Sequence, residues 1–294
     1  MEQDKRNIME VKQLSKKLGK FSLGEMSFEL PMGYIIGLIG ENGAGKTTLL
    51  HLLLGLYQAD GGEVKVFGRS YADEETDIRQ ELGFVLQERL YIDDETLISN
   101  ADIYGAYYEK YDRELLLVYL EEFGLDAEKK YRKLSKGEEL KFQFAFALSH
   151  KPKLLIMDEA TGNFDPKFRE KFLGFLKEFI KDGDRSVLLA THLTQELEQM
   201  ADYILYIEKG QLLMNYDIET LRSRYRVVTG EEYKVKLLPK DKVICVEKGK
   251  LSTRAFIRYR KHYAYDKELT LTIPTIEEIM YFITKRERGR EYEF

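Results

Sequence analysis

Four short apolar runs interrupt an otherwise charge-rich chain: YIIGLIG at 34–40, GFVLQ at 83–87, LLIMDE at 154–159 and SVLLATH at 186–192. They are apolar at nearly every position, which reads as strands buried on both faces. Helical patterns separate them, so the spacing predicts a parallel sheet covered by helices. Residues 8–30 and 62–68 are β-rich, with a Gly-Gly turn in DGGEVKVFG, and predict an antiparallel β subdomain. Residues 95–150 predict a helical insertion between two core strands. From about residue 226 the texture changes: EYKVKLLP, KVICVEKGKL, RAFIRYR and LTLTIP alternate as strands, and TIEEIMYFITKR predicts a closing helix. The expected organisation is an α/β core over 1–225, with a helical subdomain at about 95–150, and a small α+β accessory domain over 226–294.

Each of the four buried runs ends in a residue suited to a nucleotide: Gly40, Gln87, Asp158 with Glu159, and His192. Ligand sites on parallel sheets gather beyond the C-terminal strand ends. The first run leads into Gly40-Glu41-Asn42-Gly43-Ala44-Gly45-Lys46-Thr47-Thr48, which satisfies the phosphate-loop spacing G-x-x-x-x-G-K-[ST]. The glycines let successive N–H groups from Asn42 to Thr48 curl around an anion, and the helix that follows aims its positive end at it. Lys46 then reaches the β- and γ-phosphates of ATP, and the Thr47 hydroxyl is a ligand for Mg²⁺. Asp158 suits coordination of the same Mg²⁺, and Glu159 suits polarising an attacking water. His192 reads either as a helix-capping residue or, by its place among the strand ends, as a γ-phosphate contact. Ser135 and Glu138 in LSKGEELKFQFAFAL form a Ser-x-x-Glu capping box. That explains a helix start structurally, and it equally suits a helix N-terminus facing phosphate.

Charge and composition narrow the class. Across 294 residues, 46 basic side chains face 51 acidic ones, a net −5 that gives no support for nucleic-acid binding. One cysteine, Cys245, excludes an intrachain disulfide framework and suits a reducing compartment. No apolar run approaches the roughly 20 residues that cross a bilayer, and the N-terminus has no apolar signal region. A membrane role therefore requires another chain.

The ordered set of phosphate loop, Gln87, LSKGE, LLIMDEATGNFD and His192 resembles the ATP-binding cassette family over roughly residues 8–225. The resemblance implies a P-loop NTPase core and a head-to-tail pair of cassettes, homodimeric or heterodimeric, sandwiching two ATP molecules at the cytoplasmic face of a membrane. It implies that Ser135 and Gly137 contact the γ-phosphate held by the other cassette, and that Asp165 lies on the loop coupling the two sites. Glu159 becomes the catalytic carboxylate, and Gln87 senses Mg²⁺ and links ATP to an integral membrane partner. Three departures stand out. Lys136 and Glu138 alter the usual LSGGQ, placing a positive charge near a phosphate site; Gly162, Asn163 and Phe164 alter the usual DEPTSGLD; and Phe21 substitutes for the adenine-stacking aromatic that aligns near Leu18. A finer resemblance is to bacterial cassettes serving exporters of antimicrobial or amphipathic peptides, phenol-soluble-modulin exporters among them. The tyrosines at 91, 104, 107, 108 and 111 fall where the family forms the groove for a membrane subunit, and a mixed core and docking role is expected. Two rival expectations belong to other classes: a soluble cassette acting on nucleic acid or the ribosome, and a weakly hydrolysing nucleotide sensor.

Overall fold

The structure, a computed structural model, describes residues 6–288. In chain order it runs β1 (Asn7–Leu18), β2 (Phe21–Pro31), β3 (Ile35–Ile39), α1 (Lys46–Leu53), β4 (Gly61–Val66), β5 (Arg69–Ser70), α2 (Tyr71–Gln80) and β6 (Leu82–Val85). There follow α3 (Leu97–Gly105), α4 (Arg113–Glu122), α5 (Lys136–Ser149), β7 (Leu154–Asp158), α6 (Pro166–Phe179), β8 (Ser186–Ala190), α7 (Thr194–Met200), β9 (Tyr203–Glu208) and β10 (Gln211–Asp217). The chain continues with α8 (Ile218–Arg224), β11 (Tyr225–Gly230), α9 (Glu232–Val235), β12 (Val243–Lys248), β13 (Thr253–Arg258), β14 (Thr270–Thr272) and α10 (Ile276–Arg288).

These elements form two compact units. The first runs to Leu193 and takes in Met200–Asn215; the second takes in Thr194–Gln199 and runs on from Tyr216. In the first unit a six-stranded sheet has the order β10-β9-β3-β8-β7-β6. β3 pairs in parallel with β8 and β9, and β7 in parallel with β6 and β8. All five residues of β3, of β7 and of β8 are buried, as their unbroken apolar runs require. A second sheet, β2-β1-β4-β5, is antiparallel. Helix α1 packs with both sheets in one apolar core. Its LLHLL segment is buried throughout, which suits a helix enclosed by apolar surface and not one lying on a protein's exterior.

The helical insertion is aromatic. Tyr91 packs edge-on against Tyr104, Tyr131 and Phe142, and Tyr108 stacks flat on His150 at 4.0 Å. Tyr107, by contrast, is 75% exposed. β6 ends at Val85, two residues before Gln87, because the Leu86 N–H leaves the sheet and donates to the side chain of Gln143 at 2.8 Å.

In the second unit β12-β13-β11-β14 form a four-stranded antiparallel sheet. The segment EYKVKLLP, expected as a strand, instead forms the one-turn helix α9 and the turn after it. A Glu232–Lys236 ion pair at 2.9 Å, four residues apart, favours the helical turn, and the segment runs into Pro239. Phe256 of β13 stacks on Phe282 of α10, closing one face of this small core.

Candidate functional site

The loop between β3 and α1 is shaped by close approaches. A Cβ on Gly40 would stand 2.4 Å from the Ile207 carbonyl oxygen, so only glycine fits. Gly45 has φ of 106°, and a Cβ there would meet the Phe21 ring at 2.6 Å. The ring of Phe21 therefore lies directly over the loop. A cleft of about 500 Å³ opens beside it, lined by Phe21 and Leu18, the loop residues Asn42, Gly43, Gly45, Lys46, Thr47 and Thr48, and Asp158 with Glu159. Ala44 is not among the lining residues. It is buried, and its carbonyl accepts the Gly210 N–H at 2.9 Å, tying the loop to the β9–β10 turn.

Within the cleft the charges interlock. Lys46 is only 7% exposed; its Nζ donates to the Gly40 carbonyl at 2.9 Å and stands 3.6 Å from Glu159 Oε1. Thr47 donates its hydroxyl to Asp158 Oδ2 at 2.6 Å. Asp158 is 3% exposed, and burial pushes its carboxyl above the usual range, with the Thr47 hydrogen bond opposing the shift. The other oxygen, Oδ1, is buried with no hydrogen-bond partner. A buried carboxylate oxygen without a donor is costly unless a cation meets it. Thr47 and Asp158 thus offer the hard oxygen donors that Mg²⁺ prefers, and they fit a metal whose remaining ligands are phosphate oxygens and water.

Glu159 follows β7 with φ of 49°, a left-handed conformation that non-glycine residues seldom adopt. The turn is held on several sides. The Glu159 N–H donates to the Ala190 carbonyl at 2.9 Å, and its own carbonyl accepts Nε2 of Gln87 at 2.8 Å. His192 Nδ1 stands 2.5 Å from Glu159 Oε2. Lys46 and His192, distant in sequence, therefore meet at the Glu159 carboxylate, while Gln87 holds the main chain of the same residue.

Ser135, Gly137 and Asp165 lie outside the cleft. Ser135 caps α5 by a reciprocal box, its hydroxyl accepting the Glu138 N–H at 3.3 Å while the Glu138 carboxylate accepts the Ser135 N–H at 2.8 Å. Gly137 packs so tightly on the 162–164 loop that a Cβ would reach the Asn163 carbonyl at 2.5 Å. Asp165 caps α6 by accepting the Phe168 N–H at 2.9 Å and pairs with Lys141 at 3.1 Å; both hold its carboxyl below the usual range. The charge of Lys136, expected near a phosphate, is committed inside the chain: Nζ donates to the Gln87 carbonyl and stands 3.3 Å from Glu139 Oε2. Sequence reasoning missed Glu139 and Gln143, buried polar residues on α5, and the 3.3 Å approach of His51 on α1 to Glu88. The signal for the first two was present, since a Glu and a Gln four residues apart inside an apolar helix need partners.

The chain matches the family model for ABC transporters over residues 23–162. It is 30% identical over 81% of its length, and 76% of the relative's, to an uncharacterized ABC transporter ATP-binding protein of Bacillus subtilis. A bacitracin transport ATP-binding protein of Bacillus licheniformis is also 30% identical, over 74% of this chain and 72% of its own. A methionine import ATP-binding protein of Clostridioides difficile matches at the same 30%, over 76% of this chain and 74% of its own. A solved ATP-binding subunit of an ABC transporter superposes with a TM-score of 0.68 over 73% of this chain and 92% of its own, at 24% identity, which fixes the fold. The interlocked phosphate loop, the paired carboxylates at the end of β7 and these relatives together place the chain in the ABC transporter family, as an ATP-binding subunit with ATPase activity.

Proposed function

We propose that this ATPase closes on ATP against a second cassette, its own copy or a related chain, and so drives a separate integral membrane subunit from the cytoplasmic face. The observation that carries the reading is the convergence of Lys46, Thr47, Asp158, Glu159 and His192 at the ends of β3, β7 and β8. In this reading the N–H groups of the loop and Lys46 hold the ATP phosphates, and Phe21 supplies an aromatic face for adenine. Thr47 and Asp158 would hold Mg²⁺, which when bound neutralises phosphate charge. Glu159 accepts a proton from water and His192, within hydrogen-bond reach, holds that carboxylate in place. Gln87 reports on Glu159 through the Glu159 carbonyl. Ser135 and Gly137 face the ATP of the opposite cassette, with Asp165 on the coupling loop.

Outward movement of peptides or amphipathic molecules is the cargo reading; likeness to a bacitracin transport protein supports the cargo class, and the direction follows the family resemblance alone. The methionine-import relative at equal identity supports the ATPase engine without the direction. The test is to solubilise native membranes gently, capture this chain and identify what accompanies it. A stoichiometric multi-span membrane protein supports the proposal. Soluble partners or nucleic acid alone would sink it.

A further inference from the structure

Helix α5 turns one polar stripe toward the loop that carries Gln87. Lys136, Glu139 and Gln143 stand at i, i+3 and i+7, on one face of the helix. Each grips a different group of residues 86–89. Gln143 accepts the Leu86 N–H at 2.8 Å and donates Nε2 to the Glu88 carbonyl at 3.2 Å. Lys136 Nζ donates to the Gln87 carbonyl while pairing with Glu139 Oε2 at 3.3 Å. Glu139 Oε1 meets Arg89 Nη2 at 3.0 Å. Glu139 and Gln143 are both buried, so these bonds also discharge the cost of taking polar groups out of water. The grip is mostly on main chain, and it leaves the Gln87 side chain to reach Glu159.

We propose that Lys136 is a positioning residue: it locks the Gln87 carbonyl to the first turn of α5, so that the start of α5 and the Glu159 carboxylate act as one piece. The proposal rests on the cassette reading, in which Glu159 is the hydrolytic carboxylate. An ammonium suits this post because its three donors serve a carbonyl and a carboxylate together. The glycine of LSGGQ offers no side chain there. The charge of Lys136 therefore works within its own chain and does not serve as a phosphate ligand.

The experiment compares K136M and K136R with the wild-type full chain. ATP turnover gives kcat and KM, and amide hydrogen exchange follows residues 86–90. K136M is expected to lower kcat about tenfold, through misplacement of Gln87, with KM for Mg-ATP moved less than about twofold. K136R, which keeps charge and reach, is expected to recover at least about half of the lost rate. Exchange at 86–90 in K136M should quicken about tenfold while β7 amides hold their protection. A KM raised about tenfold with kcat intact would overturn the proposal in favour of a direct phosphate contact. Unchanged loop exchange, or loss of protection across α5 and β7 alike, would also overturn it. Loop exchange is read without turnover, so the lock is tested separately from the role of Glu159. Should E159Q hydrolyse ATP as fast as wild type, the assignment of Glu159 as the hydrolytic carboxylate fails on its own measurement.

Discussion

Asp158 and Glu159 are neighbours in sequence and opposites in setting. Asp158 ends a buried strand with one oxygen on Thr47 and one without a donor. Glu159 turns left-handed into the cleft between Lys46 and His192. Because burial raises the folded-state pKa of Asp158, its effect on stability is favourable at low pH and lost as pH rises through that raised value. Without metal or nucleotide at neutral pH, D158N should therefore raise the melting temperature, by about 2 °C, while hydrolysis of Mg-ATP falls at least about 100-fold. Calorimetry and a phosphate-release assay check the two halves. Phe21 is the aromatic that lines the cleft. F21A should raise KM for ATP about tenfold and spare kcat at saturation, the pattern expected when a stacking contact made equally in ground and transition states is removed. At this scale the sequence was informative where spacing forces geometry: the phosphate loop and the residues at the strand ends were legible from Gly40, Asp158 and His192. The partners of Lys136 were not legible, because they lie 49 residues away, at the Gln87 carbonyl, and on the buried face of its own helix.

At the scale of elements, α5 does two jobs. Its start is capped by Ser135 and Glu138, and its buried stripe holds the Gln87 loop. Its far end reaches His150, stacked on Tyr108 and almost wholly buried. Burial lowers the His150 pKa from 6.5 to about 4. The unfolded chain therefore takes up a proton first as pH falls, so the stability this residue gives is whole above pH 6.5 and drains as pH drops toward 4. H150F, which keeps a ring against Tyr108, should shrink the fall in melting temperature between these limits by about 3 °C. Equal falls in variant and wild type would show that other groups govern acid unfolding of the insertion. The buried strands were readable because every position is apolar. α9 was not: EYKVKLLP has a strand's alternation, but Val235 and Leu238, three residues apart, both pack into the small core of the second unit, which a helical turn allows and a strand does not. A one-turn element is too short for periodicity to declare itself.

The whole molecule divides otherwise than along a single cut in sequence. The first unit holds the whole cleft. The second takes residues 194–199 from before β9 as well as the chain from Tyr216 onward. Within that second unit Glu198 accepts the Ile276 N–H and stands 3.7 Å from Arg222. A chain ended after residue 225 would keep α7 and lose the Ile276 partner. We expect it to melt at least about 5 °C lower and to aggregate, as scanning calorimetry and light scattering would show. The charge balance and the absence of a long apolar run were legible at this scale, whereas the interleaving of α7 with the C-terminal segment was not, since no local pattern records a long-range partner.

In the proposed cycle Glu159 activates the water that cleaves ATP held between two cassettes. The direct measurement pairs ATP turnover of wild type and E159Q with the light-scattering mass of E159Q in Mg-ATP. Turnover should be lower by at least about 100-fold, and the mass should be twice that of the 34.5 kDa chain. Turnover at the wild-type rate, with a mass that stays at one chain, would contradict that cycle.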